Sequence, residues 1–215
     1  MNIKHDPKLP IICKEVLRQV PYVESIILCG SRAKIKAISP YSDYDVIVVM
    51  RTCLIPIYLS KLKKIEHMLS KRWGVKVGID PMPMFRVRCA KGNLFLYKVK
   101  REGLTIWGKD LIALLDPGDA KDISLDWYFS YLSSLMREMV QTFDPVYLRS
   151  LDQSTSKELT KSAAKALIGC GELFFLLRGF YVEDPDVMVS KLKETDSSNE
   201  YAGTFVIDSK FLEGL

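Results

Sequence analysis

The chain has 215 residues, 48% of them hydrophobic and 27% charged, enough for one large or two small globular domains. No apolar run reaches the roughly 18 residues that a membrane span needs, and the opening MNIKHDPKLP lacks the apolar core of a secretory signal. Five scattered cysteines, none spaced Cys-x-x-Cys, and two histidines, His5 and His67, argue against a disulfide scaffold, a zinc site or a histidine-based triad; free thiols in a reducing cytoplasm are expected. The net charge of +5 is unevenly spread. Residues 51–109 carry 14 Lys/Arg against 3 Asp/Glu, and residues 110–215 carry 10 against 18. A basic segment attracts a polyanion such as a triphosphate or nucleic acid, and an acidic one suits a cationic acceptor. Solvated faces that merely differ in charge would give the same counts.

In chain order, Ile11, Ile12, Val16, Leu17 and Val20 recur at helical spacing, with Pro7 or Pro10 at the start and Pro21 at the close. A strand over about Glu24 to Cys29 follows. Gly30-Ser31-Arg32-Ala33 should turn it into a short helix whose N–H groups and positive end suit a phosphate, with Ser31 adding a hydroxyl donor. Alone, such a turn is more often an ordinary strand-to-helix connection; the Asp43/Asp45 pair that follows so closely favours the phosphate site. Lys34 to Tyr41 is largely polar, contains Ser39-Pro40 and reads as a loop. Ser42 either orients the backbone ahead of Asp43 or is a plain turn residue.

Tyr44 to Met50 is a second strand. Ile55 to Trp73 is an amphipathic helix, with Leu59, Leu62, Ile65, Leu69 and Trp73 inward, a lysine-rich outer face, and His67 at the surface. Val75, Val77 and Ile79 alternate with Lys76, Gly78 and Asp80 as a strand, Asp80 facing away from the valines; Asp80-Pro81 could also open a turn. Asn93 to Glu102 reads as a helix that Gly103 ends in the left-handed conformation, and Leu104 to Trp107 as a short strand closed by Gly108.

Residues 110–123 are turn-rich and mark a change in charge sign, so domains are expected over 1–115 and 124–215. The second would be helical. Tyr128 to Phe143 forms one amphipathic helix. Thr155 with Glu158 caps another that runs to Leu177 and stops at Arg178-Gly179, and Asp184-Pro185 starts a third. Lys157, Lys161 and Lys165 share one helical stripe, which either faces solvent or lets Lys161 reach a triphosphate.

The chemistry concentrates between Ile26 and Met50. Asp43 and Asp45 stand two apart at the head of the apolar run VIVVM, and positions i and i+2 of a strand share a face. Two carboxylates beside so apolar a run are costly without a cation, and bound Mg²⁺ would relieve that cost. A two-metal phosphoryl-transfer site needs such a pair.

Gly30-Ser31, followed by Ser42-Asp43-Tyr44-Asp45 opening an apolar strand, resembles the GS…DxD signature of the DNA polymerase β nucleotidyltransferase superfamily. The resemblance is strongest to its small archaeal and bacterial members, among them the aminoglycoside and the minimal nucleotidyltransferases. It covers roughly residues 24–110, and the REGLTIWGKD run resembles the "EG…YG" run that ends their catalytic domain. It implies an α/β (α+β) fold, a small mixed-sheet nucleotidyltransferase domain followed by a C-terminal helical bundle. It implies a third strand carboxylate, which Asp80 fits, and an NTP substrate, with ATP expected. Two Mg²⁺ ions would be held by Asp43, Asp45 and Asp80, with Asp80 also able to take a proton. Gly30, Ser31, Arg32, Ser42 and Lys161 are the candidate nucleotide contacts. One departure is Ile35, which stands where many small members have glycine.

Three readings follow. The first is transfer of a nucleoside monophosphate to a hydroxyl on a small molecule or protein. The second is an antitoxin-like role on a partner protein encoded in a neighbouring reading frame. The third is a nucleic-acid-binding or template-independent polymerase role, which the basic middle segment favours and the acidic second half opposes. Self-association is compatible with each.

Overall fold

The computed structural model describes residues 6–34, 42–124, 126, 130, 133, 134, 136, 137, 168–182 and 187–191. The chain divides into two compact units, Met1–Gly118 and Asp119–Leu215. The first unit runs α1 (Lys8–Gln19), β1 (Val23–Cys29), a single 3₁₀ turn (Gly30–Arg32), β2 (Tyr44–Met50), α2 (Ile55–Trp73), β3 (Val77–Pro83), α3 (Met84–Arg88), α4 (Leu94–Glu102) and β4 (Leu104–Gly108). Its four strands form one mixed sheet in the order β3-β2-β1-β4, with β2 and β3 parallel and the other pairs antiparallel. This is the α+β mixed sheet with packed helices that the sequence implied.

The two central strands are apolar nearly throughout because both faces of the sheet are covered. On one face Ile26, Leu28, Val46, Val48, Val77 and Ile79 pack against Ile12 and Val16 of α1 and Leu62, Ile65 and Leu69 of α2. On the other, Ile27, Ile47, Val49 and Met82 pack against Val87, Leu96 and Val99. Cys29, Asp45 and Asp80 share this second face, by the registers Cys29↔Asp45 and Ile47↔Asp80.

α2 keeps the expected bounds, with Pro56 in its first turn and Gly74 at φ +64° closing it. Leu59 is exposed while Tyr58 packs on the core, one position off the expected stripe. β3 is an edge strand, and its outward N–H groups are handled residue by residue. Val77 N–H donates to Ser70 Oγ at 2.9 Å and Ile79 N–H to Glu66 Oε2 at 2.9 Å. By alternation Pro81 and Pro83 face the same way and carry no N–H, so the Asp-Pro step continues the strand rather than opening a turn.

Two other expectations change. Asn93 caps α4, its side chain accepting from Leu96 N–H at 3.0 Å, but Gly103 is extended at φ −70° rather than left-handed. A Cβ there would meet the Val99 carbonyl at 2.5 Å, so close packing is what requires the glycine. The short helix α3 was not anticipated.

In the second unit, Asp119 and Asp122 form a reciprocal capping box around the turn Ala120–Asp122. Residues 168–177 are helical and end at Gly179, φ +79°, as expected, and 187–191 are helical. Phe175, Val182 and Met188 pack together. No described helix is long and apolar enough to cross a membrane. The expected contacts of Lys157, Lys161 and Lys165, the cap at Thr155, and Ile35 lie outside the described residues.

Candidate functional site

A cleft of about 350 Å³ opens where β1 ends and β2 and β3 pass. Its lining includes Gly30 and Ser31 from the turn, Lys34 just beyond it, Asp45, Asp80, and a stripe of α4 formed by Phe95, Lys98, Val99 and Glu102. The turn and two of the three expected carboxylates therefore meet. Gly30 sits at φ +68°, where an L side chain is strained, and a Cβ on it would collide with Asp45 Oδ2. On the neighbouring strand, a Cβ at Gly78 would lie 3.6 Å from Asp45 Oδ1, an ordinary contact. Asp45 thus lies beside Gly30 of the turn and Gly78 of β3.

Asp43 stands immediately before β2 and is not among the residues that line the cleft. Two expectations need correction. The helix after Gly30 is one 3₁₀ turn of three residues, too short for a macrodipole; backbone N–H groups and the exposed Ser31 are what it presents. Arg32 turns away from the cleft and is only 6% exposed. Its Nε donates to the Ser42 carbonyl at 2.6 Å, its guanidinium lies 3.8 Å from the Tyr44 ring centroid, and it pairs with Asp6 at 3.5 Å. Tyr44 Oη donates to the same buried Asp6 carboxylate at 2.7 Å. Arg32 and Ser42 therefore fasten the start of β2 from behind and do not line the cleft. Burial first, then the bond to Asp6, pushes the Tyr44 phenol up.

Burial pushes the Cys29 thiol up to about 12, and the nearby charges of Asp45, Glu102 and Asp80 add to this. Asp80, with a side chain 79% exposed, reaches Lys63 Nζ at 3.5 Å, and Lys63 is held more tightly by Glu66 at 2.7 Å. Among the described residues no three of His, Cys, Asp and Glu form a metal-ligand group, so Asp43, Asp45 and Asp80 are not a preassembled three-carboxylate centre. Asp45 and Asp80 nonetheless offer hard oxygen donors from adjacent strands on one face. This fits Mg²⁺, which binds through one or two carboxylates, waters and substrate phosphates.

Lys34, Lys98 and Glu102 were missed from sequence. The spacing of Phe95, Lys98, Val99 and Glu102 is that of one helix face and was legible; which structure that face meets was not.

No family model and no curated protein matches the sequence. Among solved structures, the spectinomycin adenyltransferase AAD(9) from Enterococcus faecialis, with ATP and spectinomycin, matches with a TM-score of 0.50. It is 14% identical, over 95% of this chain and 93% of that one. A toxin-antitoxin structure with AMP-PNP matches at 20% identity over 62% of this chain and 98% of that one, TM-score 0.37. The tri-AMPylated Shewanella oneidensis HEPN toxin in complex with MNT antitoxin matches at 20% identity over 62% and 86%, TM-score 0.34. The likeness to the adenyltransferase is one of fold: this chain shares that protein's fold, the fold that the GS…DxD resemblance implied.

Proposed function

We propose that the chain is a Mg²⁺-dependent nucleotidyltransferase that moves AMP from ATP to a hydroxyl on a small molecule or protein and releases pyrophosphate. The observation that carries this reading is the meeting of Gly30-Ser31 with Asp45 and Asp80 in one cleft. The fold of an adenyltransferase that binds ATP and spectinomycin supports it. Residues 1–115 would form the catalytic domain and 124–215 the helical domain.

The Gly30-Ser31 backbone and the Ser31 hydroxyl would donate to the β- and γ-phosphates. Asp45 and Asp80, with Asp43 two positions before Asp45 in the chain, would hold Mg²⁺, which when bound offsets triphosphate charge and lowers the pKa of an attacking hydroxyl. The acceptor oxygen bonds to the α-phosphorus, the bond from that phosphorus to the bridging oxygen breaks, and pyrophosphate leaves. Asp80, with a side chain 79% exposed, takes the hydroxyl proton.

The test is transfer of label from α-labelled ATP to pools of aminated small molecules, proteins and RNA, with Asp45→Asn alongside. The expected result is transfer by the wild type and loss of about 100-fold or more in the variant, with the melting temperature preserved. Equal transfer by both proteins would place the chemistry elsewhere.

A further inference from the structure

The α4 wall of the cleft ends in an ion pair that the proposed reaction does not yet use. Lys34 Nζ lies 3.3 Å from Glu102 Oε2, with side chains 24% and 9% exposed. Both residues line the cleft with Gly30, Ser31 and Asp45. Glu102 is the last residue of α4, where the helix carbonyls point and a carboxylate is disfavoured. A carboxylate so placed and so little exposed needs a cation nearby, because desolvation of an uncompensated charge is costly. Lys34 supplies it from the segment immediately after the Gly-Ser turn. The pair thereby ties that turn to α4 and fixes an ammonium group at the cleft lining.

We propose that Lys34 is a phosphate-binding cation of this cleft and that Glu102 is the positioning residue that holds its ammonium there. The proposal rests on the nucleotidyltransferase reading and deepens it by assigning the triphosphate's cationic partner. A lysine stem is long and loses rotamer entropy when it is fixed on a ligand. An ammonium already held at the cleft has lost part of that freedom before the triphosphate arrives.

The experiment is calorimetric titration of the full chain, with Mg²⁺ present, using ATP and inorganic tripolyphosphate as separate probes at low and moderate salt. The proteins are wild type, Lys34→Ala, Lys34→Arg, Glu102→Gln and Asp45→Asn, each checked for an unchanged melting transition. Lys34→Ala should weaken both probes by about tenfold or more and by the same factor, because the contact is to phosphate alone. Its affinity should also fall less steeply with salt than that of the wild type, one charge contact having gone. Lys34→Arg should keep most of the affinity. Glu102→Gln should weaken both probes by a smaller factor; should it fail to fold, Glu102→Asp, which keeps the charge but shortens its reach, reads the same effect.

Wild-type affinity for both probes in Lys34→Ala, while Asp45→Asn still abolishes AMP transfer, would overturn the inference and leave the reading intact. A loss for ATP but not for tripolyphosphate would overturn it too, since the phosphate contact would then be absent. Unchanged binding in Glu102→Gln beside a weak Lys34→Ala would remove the positioning role. No binding of ATP by the wild type would overturn the nucleotidyltransferase reading and this inference with it.

Discussion

Arg32 shows how one residue's role depends on which way its backbone turns. It follows Gly30-Ser31 directly, yet its guanidinium is buried with Asp6, Tyr44 and the Ser42 carbonyl. Removing it would leave the Asp6 carboxylate buried with its main cation gone. We expect Arg32→Ala to lose about 3–5 kcal/mol of stability, because breaking a buried pair leaves an uncompensated charge. Arg32→Lys should recover little, since an ammonium cannot both stack on Tyr44 and reach the carbonyl. Urea denaturation reads the loss. ATP affinity, measured where each variant is still folded, should stay near the wild-type value. A second residue-scale prediction concerns Cys29. Its thiol keeps its proton to about 12 in the folded chain but ionises near its ordinary 9.0 when unfolded. Between those values the folded state binds more protons, so this contribution is fully present below about pH 9 and is lost as pH rises toward 12. Urea midpoints from pH 8 to 11 should fall more steeply for the wild type than for Cys29→Ala.

At the scale of elements, the edge strand β3 carries Asp80 into the cleft, and its position is held from α2. Ser70 and Glu66 accept the N–H groups of Val77 and Ile79. Ser70→Ala leaves the Val77 N–H without its acceptor and should cost about 1–3 kcal/mol, readable by chemical denaturation. The same variant should also lower AMP transfer, because Asp80 stands three residues along the strand that Ser70 pins. A variant that loses stability but keeps full transfer would show that β3 is held by its pairing with β2 alone. α4 acts similarly on the opposite side: Asn93 fixes its start, and the close approach of Gly103 to the Val99 carbonyl fixes its exit into β4. Lys98 and Glu102 are thus carried on an element anchored at both ends.

For the whole molecule, the prediction concerns charge. Residues 51–109 are strongly basic and residues 110–215 acidic. We expect a cationic acceptor to be used in preference to a polynucleotide, since an acidic segment attracts the first and repels the second. An aminated sugar, a basic peptide and a short RNA would be supplied together with labelled ATP. Labelling of the cationic acceptor should fall as salt rises, because screening weakens attraction between exposed charges. Labelling of RNA alone would overturn the expectation and favour the polymerase role.

The sequence by itself determined the strands and most helix limits of the first unit. The continuous apolar runs of β1 and β2, the period of α2 and the glycine after Trp73 are local signals, and local backbone chemistry obeys them. The resemblance carried by Gly30-Ser31 and the aspartates implied one site, and one cleft brings together Gly30, Ser31, Asp45 and Asp80. Which aspartates line the cleft was not legible: Asp45 lies within β2 and Asp43 ahead of it, and that boundary is set where Tyr44 N–H pairs with the Lys76 carbonyl. Nor was the burial of Arg32, which needs Asp6 and Tyr44 brought together from distant positions. The pairing of Lys34 with Glu102 joins residues 68 positions apart in the chain. Such contacts depend on how the sheet orders its strands and on which helix covers each face. Periodicity tells which residues share a face, but only packing decides what that face meets.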